Sequence, residues 1–242
     1  MSLSYFQSID EILGSSQSRY FGSGFLNTAY AFSDFTGVQQ DAEIQFSCQA
    51  GVRLPQTWSV KGDSKQKPHL SSIDAVELSI QALKALSDCT VPIEGLRTCS
   101  ITGMTVVAGR DPVEENLHAL ALHGRLANQL DGSMVVTLGI ANMKIGLTLS
   151  KASSYDELLT RSKRHPIVIG ELMLNLDELN ASGMVSPTRC DESCYWSLSS
   201  CFAAALQVGQ ALLYGHDKIA RAESNTLWMR KMAIRVLRRS RR

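Results

Sequence analysis

One helix-period stretch followed by an unbroken series of strand-period stretches constrains this chain more than any other feature. The segment Pro68-His69-Leu70-Ser71-Ser72-Ile73-Asp74-Ala75-Val76-Glu77 opens the helix, which is predicted to run from Ser72 to Ser87. Ile73, Val76, Ile80 and Leu83 recur at three- and four-residue steps and mark its buried stripe. Asp74, Glu77, Gln81 and Lys84 form a second, polar stripe, and Ser71 with Asp74 makes a capping box of the Asp variety. Strands are predicted at 97–108, 117–129, 134–142 and 144–150, with turn signals at Asp111-Pro112 and Asp131-Gly132. In the third of these, Met134, Val136, Leu138 and Ile140 face one way and Val135, Thr137 and Ala141 the other.

A helix that starts with a His and two carboxylates, then an antiparallel run, is the pattern of an α+β, hot-dog-like fold. In that fold an antiparallel sheet wraps a central helix whose N-terminus helps form an acyl-thioester site. Upstream, Asp10-Glu11-Ile12-Leu13 makes a helical turn stopped by Gly14, and Tyr20-Phe21-Gly22-Ser23-Gly24-Phe25 reads as a close-packed turn. Strands are expected at 26–33 and 39–49, then a polar loop over 61–68. Downstream, 153–166 is the candidate linker, Ile167 to Leu174 a strand, and 193–214 a long helix. Its apolar face carries Leu198, Cys201, Phe202, Ala205, Leu206, Gly209, Leu212 and Leu213. That helix has bilayer-spanning length but is too rich in Ser and Gln for insertion, so a buried globular helix is expected. The sequence thus predicts a double hot-dog. Residues 1–152 form the first unit, 167–230 an incomplete, truncated second one, and 231–242 a basic tail.

Charge narrows the partners. Seven of the 24 Lys and Arg lie in residues 230–242, which leaves 17 bases against 23 acids in the body, a net −6. An acidic body is a poor nucleic-acid surface, because phosphate binding needs bases spread over the docking face. The terminal Arg cluster is read as a tail rather than a lipid or nucleic-acid site. The first residues show neither a basic stretch nor an apolar run, so a cytoplasmic protein is expected, with six reduced cysteines. Cys190 and Cys194 are too widely spaced for the usual zinc or redox pair. No dinucleotide, metalloprotease or kinase motif appears, and neither a cofactor nor a metal is called for.

Several segments together resemble the bacterial avirulence protein D family. They are Ser8-Ile9-Asp10-Glu11-Ile12-Leu13-Gly14, Arg19-Tyr20-Phe21-Gly22-Ser23-Gly24-Phe25, His69-Leu70-Ser71-Ser72-Ile73-Asp74 and Glu223-Ser224-Asn225-Thr226-Leu227-Trp228-Met229-Arg230. The resemblance lies in their order and spacing up to residue 230. It implies biosynthesis of secreted, syringolide-type acyl-glycoside elicitors from a β-ketoacyl chain and a pentulose. A more distant similarity to A-factor synthase-type double hot-dog proteins implies the same reaction class. The implied partners are an acyl carrier protein or acyl-CoA thioester and a sugar-like acceptor.

Acyl transfer needs a polarised thioester carbonyl and a base for the attacking hydroxyl. Helix N-terminal amides, here Leu70, Ser71, Ser72 and Ile73, can supply the first. His69, Asp74 or Glu77 can supply the second. Each has a plainer role: Asp74 as the capping acid, Glu77 on a solvated stripe, His69 as a loop residue. Arg221, Glu223, Asn225 and Arg230 are candidates to anchor a sugar or phosphate oxygen, or else form a solvated loop. His118 and His123, five apart on a predicted strand, point to opposite faces and are read as structural. Ser197, Ser199 and Ser200 lack the glycines of a nucleophile elbow. Dehydration or thioester hydrolysis on the same fold is one alternative, and a non-catalytic acyl-binding or remnant protein another. An incomplete second unit leaves a strand edge that a homodimer would cover.

Overall fold

The computed structural model describes residues 3–40, 43–56, 58–88, 96–151, 164–188, 197–224, 227 and 229–236. In chain order the elements are β1 (Leu3–Ser8), α1 (Asp10–Leu13), β2 (Ala29–Gln40), β3 (Glu43–Arg53), β4 (Val60–Lys61), β5 (Ser64–Lys65) and α2 (Ser72–Asp88). Then follow β6 (Cys99–Val107), β7 (Leu120–Asn128), β8 (Met134–Ile140), β9 (Met143–Lys151), β10 (Ile167–Asn175), β11 (Asn180–Pro187), α3 (Leu198–Asp217) and β12 (Lys231–Arg235). The fold is α+β, with large antiparallel sheets and few helices. Among the described residues no helix is long and apolar enough to cross a membrane.

Contacts divide the chain into two interleaved units. One takes Ala29–Arg53, His69–Ser162 and Met229–Arg242; the other takes Met1–Thr28, Leu54–Pro68 and Lys163–Trp228. The contiguous split expected from sequence, 1–152 and 167–230, differs from this because β1 pairs with β10, far along the chain. The predicted linker 153–166 lies mostly outside the described residues. Its last residues are folded, with the Arg164 guanidinium donating to the carbonyls of Phe25 (2.6 Å) and Thr28 (2.9 Å). The expected basic tail is also corrected: Lys231–Arg235 is a strand that pairs antiparallel with β6.

In the first of these units seven antiparallel strands run in the order β12-β6-β9-β8-β7-β3-β2. Alternation drives it. On β3, Ile44, Phe46, Cys48, Ala50 and Val52 are buried while Gln45, Gln49 and Arg53 are exposed. Phe46 sits opposite Gly124 on β7, and its ring fills the space a Cβ there would need, so this position requires glycine. Helix α2 lies against β2, β3 and β9. Its apolar stripe is as predicted, but burial goes further, since every residue from Leu70 to Ile80 is buried. Each fully buried Leu or Ile contributes roughly 1.5–3 kcal/mol, so this helix is a large part of the core energy. Polar groups caught inside find local acceptors, as when Ser79 Oγ donates to the Ala75 carbonyl at 2.7 Å.

The other unit is a three-stranded antiparallel sheet, β1-β10-β11, with α3 packed against β10 and β11. Ile167, Ile169, Leu172 and Leu174 point inward from β10, and Phe202, Ala203 and Leu206 are buried on α3. The predicted apolar face of α3 is only partly right. Cys201, Ala205 and Leu213 are exposed, whereas Gln207 is buried because Arg19 meets it. Buried Arg19 donates to Gln207 Oε1 (2.8 Å), pairs with Asp10 and reaches the Ser15 carbonyl. Tyr20 stacks on Trp58 at 3.7 Å between ring centroids. Gly22 must be glycine, because a Cβ would strike the Ser16 carbonyl oxygen. The 19–25 segment is therefore a packing hub, as its aromatic and glycine content suggested.

Candidate functional site at the N-terminus of helix α2

The chain reaches α2 through exposed Pro68 and half-buried His69. Leu70 then buries fully, and its amide donates to the Val113 carbonyl at 2.8 Å. The capping box is reciprocal: Asp74 N donates to Ser71 Oγ (3.3 Å), and Ser71 N donates to Asp74 Oδ2 (2.9 Å). The Ser71 hydroxyl also gives its own proton to Oδ2 at 2.7 Å, a hydroxyl being donor and acceptor at once. From β2, Tyr30 donates its hydroxyl to Asp74 Oδ1 at 2.8 Å. Both oxygens of this fully buried carboxylate are thus engaged, by the Ser71 amide and hydroxyl and by Tyr30.

That arrangement narrows the sequence expectations. The amides of Leu70 and Ser71 already have acceptors, in the Val113 carbonyl and Asp74 Oδ2. Ser72 and Ile73 are first-turn positions, whose amides have no acceptor inside the helix. Asp74 closes the helix end. Glu77 is different: it is 7% exposed, and Gln81 Nε2 donates to its Oε2 at a long 3.4 Å. Lys84, two turns on, feels this carboxylate. Burial pushes the Lys84 ammonium down from its ordinary range, and the Glu77 charge pushes it back up. Asp74 and Glu77 share a helix face, as three-residue spacing requires.

The second predicted group, Arg221, Glu223, Asn225 and Arg230, is divided between the two units. Arg221 donates to the Val60 carbonyl (2.8 Å) and Ser59 Oγ (3.2 Å), which staples the turn after α3 to the β4–β5 hairpin. Burial lowers its pKa from the usual arginine range. Lys61 reinforces the staple through Ser224 Oγ at 3.0 Å. Glu223 is exposed beside it, Asn225 lies outside the described residues, and exposed Arg230 belongs to the other unit, where it donates to the Gly109 carbonyl. His118 is corrected from a strand to the turn before β7, and His123 is exposed on β7.

Ser197, Ser199 and Ser200 form a buried hydroxyl cluster that caps α3. Ser197 Oγ accepts from Ser200 N at 3.0 Å, and Ser200 Oγ reaches the His165 carbonyl. Among the described residues no cluster of three His, Cys, Asp or Glu could hold a metal ion. Cys190 and Cys194 lie outside the described residues. The residue missed from sequence is Tyr30, which lies 44 positions from Asp74 and carries no local signal.

A family model described as Pseudomonas avirulence D protein matches residues 4–155 and 175–242. No curated protein matches the chain.

Proposed function

The chain belongs to the avirulence protein D family, and from that premise we propose that it moves a β-ketoacyl group from a carrier thioester onto a ketose hydroxyl. Membership implies a part in avirulence through elicitor biosynthesis. The finer reading is that the seven-stranded unit is hot-dog-like, with α2 as its central helix. What supports it is the burial of α2 at every position from Ser72 to Ile80 against antiparallel strands.

The observation that carries the chemistry is the contrast between the two carboxylates of α2. Both oxygens of Asp74 are engaged by Ser71 and Tyr30, while Glu77 is buried with one long hydrogen bond among the described residues. A buried carboxylate with unused acceptor capacity beside a helix N-terminus is placed for proton transfer. In the proposed step the ketose oxygen adds to the thioester carbon as its proton passes to Glu77. The Ser72 and Ile73 amides hold the developing oxyanion. The carbon–sulfur bond then breaks, and the carrier leaves as a thiol that takes the proton back. His69, at the helix threshold, orients or shares that proton. Arg221 and Arg230 are left to structural contacts in this scheme.

The test is mass spectrometry of products after incubating purified protein with a β-ketoacyl carrier thioester and D-xylulose. An adduct containing both acyl chain and pentulose is expected. Free acid or an enoyl thioester would instead establish hydrolysis or dehydration. Thioester retained unchanged, with acyl carrier still bound, would leave an acyl-binding protein.

A further inference from the structure

Four strands edge the two main sheets, and they differ in what blocks them. On the seven-stranded sheet β12 carries exposed Lys231 and Arg235, and β2 is broken between Ser33 and Thr36, where Asp34 turns to a φ of 53°. Charges and bulges of this kind keep sheet edges from pairing with other chains. In the three-stranded sheet the register shift lies on the central strand β10, between Gly170 and Met173 where Glu171 has a φ of 50°, and β11 carries only Pro187 near its end. Its edges, β1 and β11, contain no charged residue. Among the described residues β11 pairs only with β10, and Asn180, Ser182, Gly183, Met184 and Ser186 are exposed along it. An apolar outer surface adjoins it, with Met184 59%, Val168 45% and Met173 42% exposed, and Tyr5, which pairs with Met173, 60% exposed.

We propose that β11 pairs antiparallel with β11 of a second copy of this chain, joining two three-stranded sheets into one six-stranded sheet. An uncharged strand can lie beside its own copy without setting like charges opposite each other, which a strand such as β12 cannot do. A continuous sheet requires the two-fold axis to pass through a residue rather than between two. Centring it on Met184 sets the two exposed methionines against each other, with Ser182 of each copy opposite Ser186. Small side chains at Ala181, Ser182 and Gly183 let the strands approach closely. The pairing is isologous and closes on itself, whereas β11 meeting β1 of another copy would propagate into a filament.

The experiment is light scattering coupled to size exclusion on the full chain and on Met184→Glu and Met184→Lys, with circular dichroism to establish that both variants fold. The wild-type chain is expected at twice its monomer mass. Each variant is expected to weaken the dimer by on the order of a hundredfold, from the like charges placed on the axis. An equimolar mixture of the two variants is expected to regain the dimer, which a general loss of structure would not do. A monomeric wild type, a ladder of higher species, or dimers indifferent to both substitutions would overturn the proposal.

Discussion

Helices α2 and α3 both begin with a buried serine cap, yet they bury different chemistry behind it. Ser197 accepts from the amide three residues on, and the surrounding groups at α3 are hydroxyls, with no acid in the first turn. Near the middle of α3, Arg19 brings a charge to Gln207. Helix α2 brings its own charge. It encloses Asp74 in the first turn and Glu77 in the next, both buried. An enclosed carboxylate must be matched by donors or put to use, since an unmatched buried charge is strongly destabilising. A cap made of hydroxyls fixes a helix; a cap that includes carboxylates can also run proton chemistry.

Substitution at Asp74 should break this contrast hardest. Asp74→Ala strands the Ser71 amide, the Ser71 hydroxyl and the Tyr30 hydroxyl, and is expected to cost about 3–5 kcal/mol in urea unfolding. Ser197→Ala is expected to cost only ~1–2 kcal/mol by the same measurement, the ordinary value of an N-cap. If the two losses came out equal, the asymmetry between the helices would be lost. Glu77→Gln should sharpen the comparison from the other side. Turnover is expected to fall at least ~100-fold, as for loss of a general base, with the unfolding midpoint little changed. Tyr30→Phe removes one hydrogen bond to a carboxylate and is expected to cost roughly 1.5–3 kcal/mol, with turnover retained.

The smallest effect concerns pH. Lys84 is shifted below its ordinary value by burial, so its charged form is the one the fold disfavours. That penalty is fully present at neutral pH. It is relieved as pH rises from the lowered folded value toward the unfolded value of about 10.4, because the unfolded chain then binds more protons. The Lys84 contribution is therefore a rise in stability on the alkaline side, which Lys84→Met should remove. The difference between the two proteins' unfolding free energies across that range is the measurement. Cys48 opposes it in the same region, since burial pushes its thiol up to about 11 and favours the neutral form.

Strands buried on one face were legible in sequence, and the reason is visible in β8 and β9, where buried and open positions alternate with little interruption. Helix α2 and its capping box were legible because both depend on neighbours three or four residues away. Strands β1, β11 and β12 were not. Gly183 and Pro187 break the strand pattern of β11, and the charges around Met232 and Ile234 made β12 read as tail. What reveals each is its partner strand, which local pattern does not encode. The face of α3 was misplaced for the same reason, since Gln207 is polar by type but buried by virtue of Arg19. At the site, the sequence left either Asp74 or Glu77 as the base, although only Asp74 sits in the capping box. Tyr30 and the committed amide of Leu70 separate them, and both depend on long-range pairing.

The pairing of β1 with β10 also sets a timetable for synthesis. Leu3 aligns with Asn175 and Ser8 with Gly170, so β1 must wait for a strand made much later. At about 5–20 residues per second, that interval is on the order of ten to thirty seconds. Throughout it Leu3, Tyr5 and Phe6 lack the strand they align with, and β12 reaches its partner β6 later still. A nascent chain of this topology is a natural client for chaperones that hold apolar N-terminal segments, and slowing translation between β2 and β10 would lengthen its exposure.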